Sequence, residues 1–345
     1  MSVVSPYQHI DREAFKDFIN GAEVIKNDSL ISLAIEDVIK SGLTPDTLKQ
    51  ANVTIFRGGQ DRLKKKLGYA SFNGHPILDA YKLIEFPYFD EKGMEMFYRY
   101  KIIPPAEKAK YLHPLSAPPM PYILPQVFAI KDKVNVPLFF TEGEKKNLKT
   151  LQHLRFSIGL IGIWTFKAGK HSDALEDDKV LWWILEEFAW KGRTVYLAFD
   201  ADLWTNPYVR MALYELAVKL HLRGALVHFL TWPPEEGKGI DDYLVYHEKR
   251  GVNAEITLAH LERNAKHLVE FVPYEHIEDI VRALAISGYK SLEAKHLIDV
   301  LANKINLKTS ILREAIKEKH AEIARKTLQQ NVYFCNDGYL CRWDI

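Results

Sequence analysis

Between Val134 and Tyr246 the sequence alternates short apolar runs with segments of helical periodicity, and this alternation is the strongest constraint on the fold. Each run has the length of a buried strand, and glycines close two of the helical segments. Connections of this kind are crossovers, which make the strands parallel and cover the sheet with helices. We therefore predict an α/β domain with a parallel four-stranded sheet and helices on both faces. The four runs are VPLFF, FSIGLIGIW, TVYLAF and ALVHFL.

Acidic side chains follow two of these runs at the point where each run stops. The motif TEGEK supplies Glu142 and Glu144 after the first run, and FDAD supplies Asp200 and Asp202 after the third. Ligands of parallel sheets bind outside the carboxyl ends of the strands, so we expect these acids to gather at one edge. Gathered carboxylates need a neutralising cation, and oxygen ligands favour Mg²⁺ or Mn²⁺. A helix cap is the competing interpretation of Glu142, because acids stabilise helix N-termini.

A third acidic motif, GKGIDDYL, follows the fourth run and brings Asp241 and Asp242 to the same edge. Lys238 lies between two glycines in this motif, where it could place positive charge beside a phosphate. Two interpretations of the aspartates stay open at this point. They are either further metal ligands or the cap of the helix that begins there.

The order TEGEK, YLAFDAD and GKGIDDYL resembles the TOPRIM domain, the catalytic fold of bacterial primases, type IA and type II topoisomerases and a class of nucleases. It is most similar to the TOPRIM-like family of replication proteins from plasmids, phages and integrated elements, where the domain often precedes a helicase-like domain. The resemblance covers about Val134 to Tyr246.

The resemblance implies roles for particular residues. It makes Glu142 the general acid and base, and it makes Asp200 and Asp202 the pair that holds Mg²⁺ or Mn²⁺ for phosphoryl transfer. Three lysines near these acids are candidates for catalytic contacts with substrate phosphates: Lys145, Lys146 and Lys238.

Two positions depart from the family pattern. Trp204 stands where many TOPRIM enzymes carry a third acid, and Lys146 stands near the position where primases often carry an aspartate. Asp241 or Asp242 could supply the missing metal ligand.

Two basic groups upstream of the α/β domain are candidates for contact with nucleic acid. One is the cluster RLKKKLG, and the other is an alternating strand with cations on one face and tyrosines on the other. Cations neutralise phosphates and aromatic faces accept unpaired bases, a combination suited to single strands. The competing interpretation is solvated surface charge and core aromatics. The candidate residues are Arg62, Lys64, Lys65, Lys66, Arg99 and Lys101.

The 345 residues predict more than one domain. We expect a mixed α+β region with a hairpin over residues 1–125, ending in a proline-rich linker, and the TOPRIM-like domain over 126–252. A helical module follows over 253–330. The tail, 331–345, returns to strand character around a turn at Asn336 and could begin a further domain.

The composition limits the kinds of function that the chain can have. A net charge of +1 excludes binding to nucleic acid through bulk positive charge, so any such contact must be local. The cysteines, Cys335 and Cys341, form no CxxC pair, which argues against a cysteine-built zinc site and for reduced thiols. No apolar stretch has the length of a membrane span. We expect a cytoplasmic protein without a membrane partner.

The resemblance leads us to interpret the chain as a primase-like protein of a mobile element. In this interpretation it binds Mg²⁺ or Mn²⁺ through Glu142, Asp200 and Asp202 and joins ribonucleotides on a single-stranded DNA template. The same carboxylates could instead cleave DNA, as TOPRIM nucleases do. A third alternative is a non-catalytic module that binds DNA or loads a helicase. Single-stranded DNA, nucleotides and a helicase domain or partner are the expected partners.

Overall fold

The computed structural model describes residues 13–19, 29–72, 74–107, 109–167, 181–330, 332–334 and 340–342. By internal contacts the chain divides into two compact units. Unit 1 comprises Met1–Ala129, Thr141–Ile161 and Glu235–Leu258. Unit 2 comprises Ile130–Phe140, Gly162–Pro234 and Ala259–Ile345. Each unit is therefore assembled from segments that are distant in the sequence.

Helices and strands alternate through most of the described chain. The helices are α1 (Ser29–Lys40), α2 (Pro45–Gln50), α3 (Gln60–Leu67), α4 (Ile77–Ala80), α5 (Pro125–Phe128), α6 (Glu144–Gln152), α7 (Trp183–Glu186), α8 (Pro207–Leu222), α9 (Ile240–Glu248), α10 (Ala254–Asn264), α11 (Leu268–Phe271), α12 (Ile277–Ser287), α13 (Leu292–Lys304) and α14 (Thr309–Gln330). The strands are β1 (Thr54–Ile55), β2 (Ser71–Phe72), β3 (His75–Pro76), β4 (Lys82–Phe89), β5 (Glu95–Ile103), β6 (Tyr111–Leu112), β7 (Leu138–Glu142), β8 (Ser157–Leu160), β9 (Thr194–Ala198), β10 (Leu226–Phe229), β11 (Lys266–His267), β12 (Val332–Phe334) and β13 (Leu340–Arg342). No helix in these described ranges is both long enough and apolar enough to cross a membrane.

Unit 1 contains a sheet with the strand order β1, β4, β5, β6, in which every neighbouring pair is antiparallel. The β4–β5 pairing confirms the predicted hairpin. Its turn is fixed locally, because Asp90 Oδ1 accepts hydrogen bonds from the N–H groups of Lys92 at 3.0 Å and Met94 at 2.8 Å. The apolar run ILDAYKLIEFPYF predicts a strand from Ile77 onward. Residues Ile77–Ala80 instead form the single turn α4, which the Tyr81 N–H closes onto the Ile77 carbonyl at 3.1 Å.

The α/β sheet has the strand order β11, β10, β9, β7, β8. The four predicted apolar runs supply β7 to β10, and β9 pairs in parallel with β10. The prediction of four strands needs a correction, because β11 pairs antiparallel with β10 through His228 and His267 and makes the sheet five-stranded. That strand contains two residues, Lys266 and His267, which is too short for a hydrophobic pattern to reveal.

The periodicity of DDKVLWWILEEFAWKG predicts one amphipathic helix, but among its described residues the segment is helical only at α7. Residues 168–180, which include its start, lie outside the described ranges. Leu181 instead forms an antiparallel bridge with Lys167, and its N–H donates to Glu186 Oε1 at 2.9 Å. Helix α7 begins two residues after this bridge, at Trp183.

The range predicted as a helical module contains α10 to α14, and it also contains β11, which belongs to the α/β sheet. Helix α12 packs against both α8 and α14, and its buried residues include Ile280 and Leu284. The predicted tail hairpin corresponds to β12 and β13, which pair antiparallel. Its turn at Asn336, Cys335 and the side chain of Cys341 lie outside the description, so the predictions about them stay predictions.

Candidate active site

The first acidic motif places Glu142 at the last position of β7, directly before helix α6. Gly143 has a φ of 88°, a conformation that strains residues with a Cβ atom. Its N–H donates to the Leu160 carbonyl at 2.6 Å, and its own carbonyl oxygen lies 2.9 Å from the position of a Cβ built on Gly159. The backbone therefore favours glycine at position 143, and the half-buried Glu142 lies directly before it at the head of the helix.

Glu144, the second acid of the motif, is a buried structural residue. Its side chain is 1% exposed, and Oε1 accepts hydrogen bonds from Arg99 at 2.6 Å and from the Tyr88 hydroxyl at 2.8 Å. Burial and the Glu144 charge raise the pKa of Tyr88 well above its usual range. Burial disfavours the charged form of Arg99, but Glu144 outweighs that cost and raises the pKa of Arg99. The Arg99 guanidinium also lies 4.1 Å from the Tyr111 ring centre.

These contacts correct the expectation that Arg99 belongs to an open surface for nucleic acid. Its side chain is 13% exposed, and its charge is neutralised within unit 1 by Glu144. Glu144 likewise belongs to this ion pair rather than to a group of metal ligands. Both charges hold the β4–β5 hairpin against the start of α6.

Lys101 and Lys145 share a single carboxylate, Asp37 of helix α1. The Lys101 Nζ lies 2.5 Å and 2.7 Å from the two Asp37 carboxylate oxygens. The Lys145 Nζ lies 3.1 Å from Asp37 Oδ2 and donates to its backbone carbonyl at the same distance. Burial opposes ionisation of Asp37, but Lys145 and Lys101 together lower its pKa. Two cations with one anion leave this cluster with excess positive charge.

The sequence predicts that Lys101 lies on a solvent-facing surface for nucleic acid. Its side chain is instead 11% exposed and forms an ion pair with Asp37. Lys145, at 16% exposure, remains at the head of α6 beside Glu142. Sequence reasoning missed Asp37, since one aspartate in an amphipathic helix carries no signal of its partners.

The titration of Lys101 gives a testable prediction. Burial and the Lys145 charge lower its pKa from 10.5 to about 8, so across this range the unfolded chain binds more protons than the folded chain. The free energy of unfolding of the wild type is therefore expected to rise from pH 8 to pH 10.5 relative to that of Lys101→Met. Urea denaturation of both proteins across this range measures the difference. Lys49→Met, which removes an exposed lysine, is the control, and equal pH slopes for wild type and Lys101→Met would contradict the assignment.

The third motif brings Asp241 and Lys146 together around Gly239. A Cβ at Gly239 would lie 2.1 Å from Lys146 Cε and 2.7 Å from Asp241 Oδ1. Asp241 is 5% exposed, and its Oδ1 makes no hydrogen bond to any described residue. A buried carboxylate oxygen without a donor is costly, and a cation or a substrate donor would satisfy it.

Asp242 has a different role from Asp241. Its Oδ2 accepts the Gly239 N–H at 3.4 Å and so caps the start of α9. The two interpretations of the aspartates thus separate, with Asp241 as the candidate ligand and Asp242 as the cap. Lys238 is exposed, and Gly237 allows close packing, because a Cβ there would lie 2.4 Å from the Tyr243 backbone nitrogen.

The basic cluster of α3 is only partly available to a ligand. Lys66 lies 3.3 Å from Glu85 and 3.7 Å from the centre of the Tyr98 ring, so its charge is engaged within unit 1. Burial raises the pKa of Glu85 although Lys66 opposes the shift. The exposed members are Arg62, Lys64 and Lys65. These three remain a predicted nucleic-acid surface.

Unit 2 holds Asp200 and Asp202 on a single turn directly after β9. Asp200 is 5% exposed and precedes the 3₁₀ turn Ala201–Trp204. The Asp200 carbonyl accepts the Leu203 N–H at 3.1 Å, and the Asp202 carbonyl accepts the Asn206 N–H at 2.8 Å. Asn206 in turn caps α8, and its position directly before Pro207 is typical of the start of a helix. Backbone hydrogen bonds therefore hold the main chain of the turn that carries the two carboxylates.

Among the described residues no group of three or more His, Cys, Asp and Glu side chains is arranged to hold a metal ion. Mg²⁺ is usually bound through one or two carboxylates, with water and substrate phosphates completing the octahedron. The donor set of Asp200 and Asp202 fits that mode, and it does not form a complete protein cage.

The comparisons with known proteins agree with this architecture. Over 87% of its length the chain is similar in structure to 72% of the Aquifex aeolicus primase fragment containing the zinc-binding and RNA polymerase domains, with 16% identity and a TM-score of 0.58. It is also similar to the DnaG catalytic core over 86% of this chain and 96% of that one, with 15% identity and a TM-score of 0.53. The fold resembles that of primase catalytic cores.

Comparison of the sequence with known families indicates less about function than the comparison of structures. Residues 128–251 match a family model described as a domain of unknown function, DUF3854. This match contains all three acidic motifs of the sequence. No curated protein matches the chain.

Proposed function

We propose that the protein is a primase-like nucleotidyltransferase, which joins ribonucleotides on single-stranded DNA during replication of a mobile genetic element. The observation that carries the proposal is the carboxylate pair Asp200 and Asp202, fixed on one turn after a strand of a sheet whose fold resembles primase cores. The mobile-element setting and a helicase partner rest on the motif resemblance alone.

In this proposal Asp200 and Asp202 hold Mg²⁺ or Mn²⁺. A bound cation would supply charge stabilisation for the phosphate oxygens of the reacting nucleotide. Backbone hydrogen bonds hold the turn that carries both carboxylates, and this would limit their reorganisation when a cation binds.

The remaining roles concern groups of unit 1. Glu142 is proposed to take the proton from the attacking hydroxyl, as in the TOPRIM scheme. Lys145 and Lys146 are proposed to bind substrate phosphates, and the excess positive charge of the Asp37 cluster supports this role for Lys145. Asp241 is proposed to accept a hydrogen bond from substrate or to bind a cation through its buried Oδ1.

The test is a synthesis assay with the full chain. Incubation with an unlabelled single-stranded template, labelled ribonucleotides and Mn²⁺ is expected to give short labelled oligonucleotides that are sensitive to alkali. Shortening of end-labelled DNA in the absence of nucleotides would support the nuclease alternative and contradict the proposal. Absence of both products, with metal bound, would support a non-catalytic role.

A further inference from the structure

A series of aromatic rings in unit 2 runs from the core to the surface beside the acidic turn. Phe229 stacks on Phe271 with a centroid distance of 4.1 Å and an angle of 5°. Phe271 contacts Trp204 at 5.4 Å, and Trp204 stacks on His276 at 5.9 Å with an angle of 28°. Phe229, Phe271 and His276 are at most 8% exposed, whereas Trp204 is 43% exposed. The series therefore ends in a partly open indole.

The surrounding contacts hold this indole in place. His276 Nδ1 and the hydroxyl of the buried Tyr214 form a hydrogen bond of 2.9 Å, which fixes the imidazole under Trp204. The backbone of Trp204 belongs to the 3₁₀ turn that carries Asp202. A ring immobilised before binding loses little conformational entropy when a ligand stacks on it.

The position of Trp204 indicates the chemistry of the ligand. It lies two residues after Asp202, where the pattern of related enzymes has a third acid, so this chain offers a planar apolar face at that position. Tyr208 and Tyr274 are further exposed aromatics of the same unit, at 67% and 71% exposure. An isolated phosphate has no planar group that could stack on the indole, and the carboxylates repel it unless a cation lies between them. A nucleotide combines a planar aromatic base with a phosphate, and thus matches both features.

We propose that Trp204 is a stacking platform for a nucleobase that is held beside Asp200 and Asp202. This proposal deepens the proposed function, on which it rests, because it names a contact between the substrate and the same turn. Stacking on an aromatic side chain recognises every base through its π face, which gives affinity without sequence preference. The base can come from the single-stranded template or from the incoming nucleotide.

The test distinguishes the affinity that comes from base stacking from the affinity that comes from the charge of the phosphates. The affinity of the full chain is measured by fluorescence anisotropy, with Mg²⁺ and without nucleotides, for an oligothymidylate and for an abasic oligodeoxynucleotide of equal length and charge. Trp204→Ala is expected to weaken binding of the oligothymidylate by roughly 5- to 150-fold and to leave binding of the abasic strand unchanged. Trp204→Phe is expected to retain most of the affinity, because it keeps a ring.

A matched control is available in the same unit. Trp183 is 48% exposed, close to the exposure of Trp204, and lies on helix α7. Trp183→Ala is expected to bind both strands as the wild type does. A second titration, with a ribonucleoside triphosphate and Mg²⁺, distinguishes the sources of the base: a loss confined to the nucleotide assigns Trp204 to the incoming substrate.

Two results would overturn the inference: wild-type affinity of Trp204→Ala for both the oligothymidylate and the nucleotide, or equal weakening for the thymidylate and abasic strands. The melting temperature of each variant, compared with that of Trp204→Phe, shows whether a loss of binding comes from unfolding. A different outcome would contradict the proposed function and leave the stacking platform intact. If the wild type synthesises no primer but loses base-dependent binding on Trp204→Ala, the stacking platform stands and the primase activity does not.

Discussion

The double substitution Asp200→Asn with Asp202→Asn is expected to reduce primer synthesis at least about 100-fold. The change keeps the shape of both side chains but removes the two negative charges that are proposed to hold the cation. Lewis-acid stabilisation by a bound metal contributes several kcal/mol to a barrier, and about 2.7 kcal/mol corresponds to a factor of 100. Initial rates at saturating template and nucleotide, together with calorimetric Mn²⁺ titration, measure the effect.

The control for this variant is Asp299→Asn. Asp299 is 47% exposed and pairs with Arg313 on the surface of unit 2, so this substitution removes a carboxylate charge that does not belong to the acidic turn. Synthesis and Mn²⁺ affinity are expected to stay at wild-type values in this control. If the Asp200 and Asp202 double variant retained both wild-type Mn²⁺ affinity and wild-type synthesis, the carboxylate pair would not be the metal site.

The second large effect is expected on stability. Arg99→Met leaves the Glu144 carboxylate buried without its cation, and breaking a buried ion pair by removing one partner costs about 3–5 kcal/mol. The Tyr88 hydroxyl alone does not replace the lost charge. Guanidinium denaturation followed by far-ultraviolet circular dichroism measures the loss. Arg99→Met combined with Glu144→Gln is expected to regain part of it, because the second change removes the unpaired charge.

Lys49→Met is the control for this stability experiment, because it breaks the exposed pair of Lys49 and Asp17 in the same unit. The denaturation midpoint of this variant is expected to equal that of the wild type. A loss below about 1 kcal/mol for Arg99→Met would mean that Arg99 and Glu144 are solvated in solution, which contradicts the ion pair.

Features that depend on neighbours in the chain could be predicted. The apolar runs of β7 to β10 identify buried strands because a buried strand needs a continuous apolar sequence. The Asn206 cap of α8 and the Asp90 turn of the hairpin are set by hydrogen bonds within four residues. The glycine at position 143 likewise indicates a local backbone conformation with a positive φ.

The contacts of the candidate site residues could not be predicted from the sequence. Glu142 and Glu144 are two residues apart and equally acidic, yet one ends a strand and the other is buried against Arg99. Asp241 and Asp242 are adjacent, yet one is a buried acid and the other caps a helix. Sequence spacing does not determine which of two neighbouring side chains points into the core.

The sequence by itself therefore determined the strand and helix alternation, the acids that follow the strands and the local caps. Only the tertiary structure decided which charges are neutralised, because the partners are distant in the chain. Asp37 meets Lys145 across 108 positions, and Tyr88 meets Glu144 across 56. It also decided that the indole of Trp204 is held by Phe271 and His276, because only packing brings those rings together. Burial makes these pairings strong, and burial is a property of the folded chain as a whole.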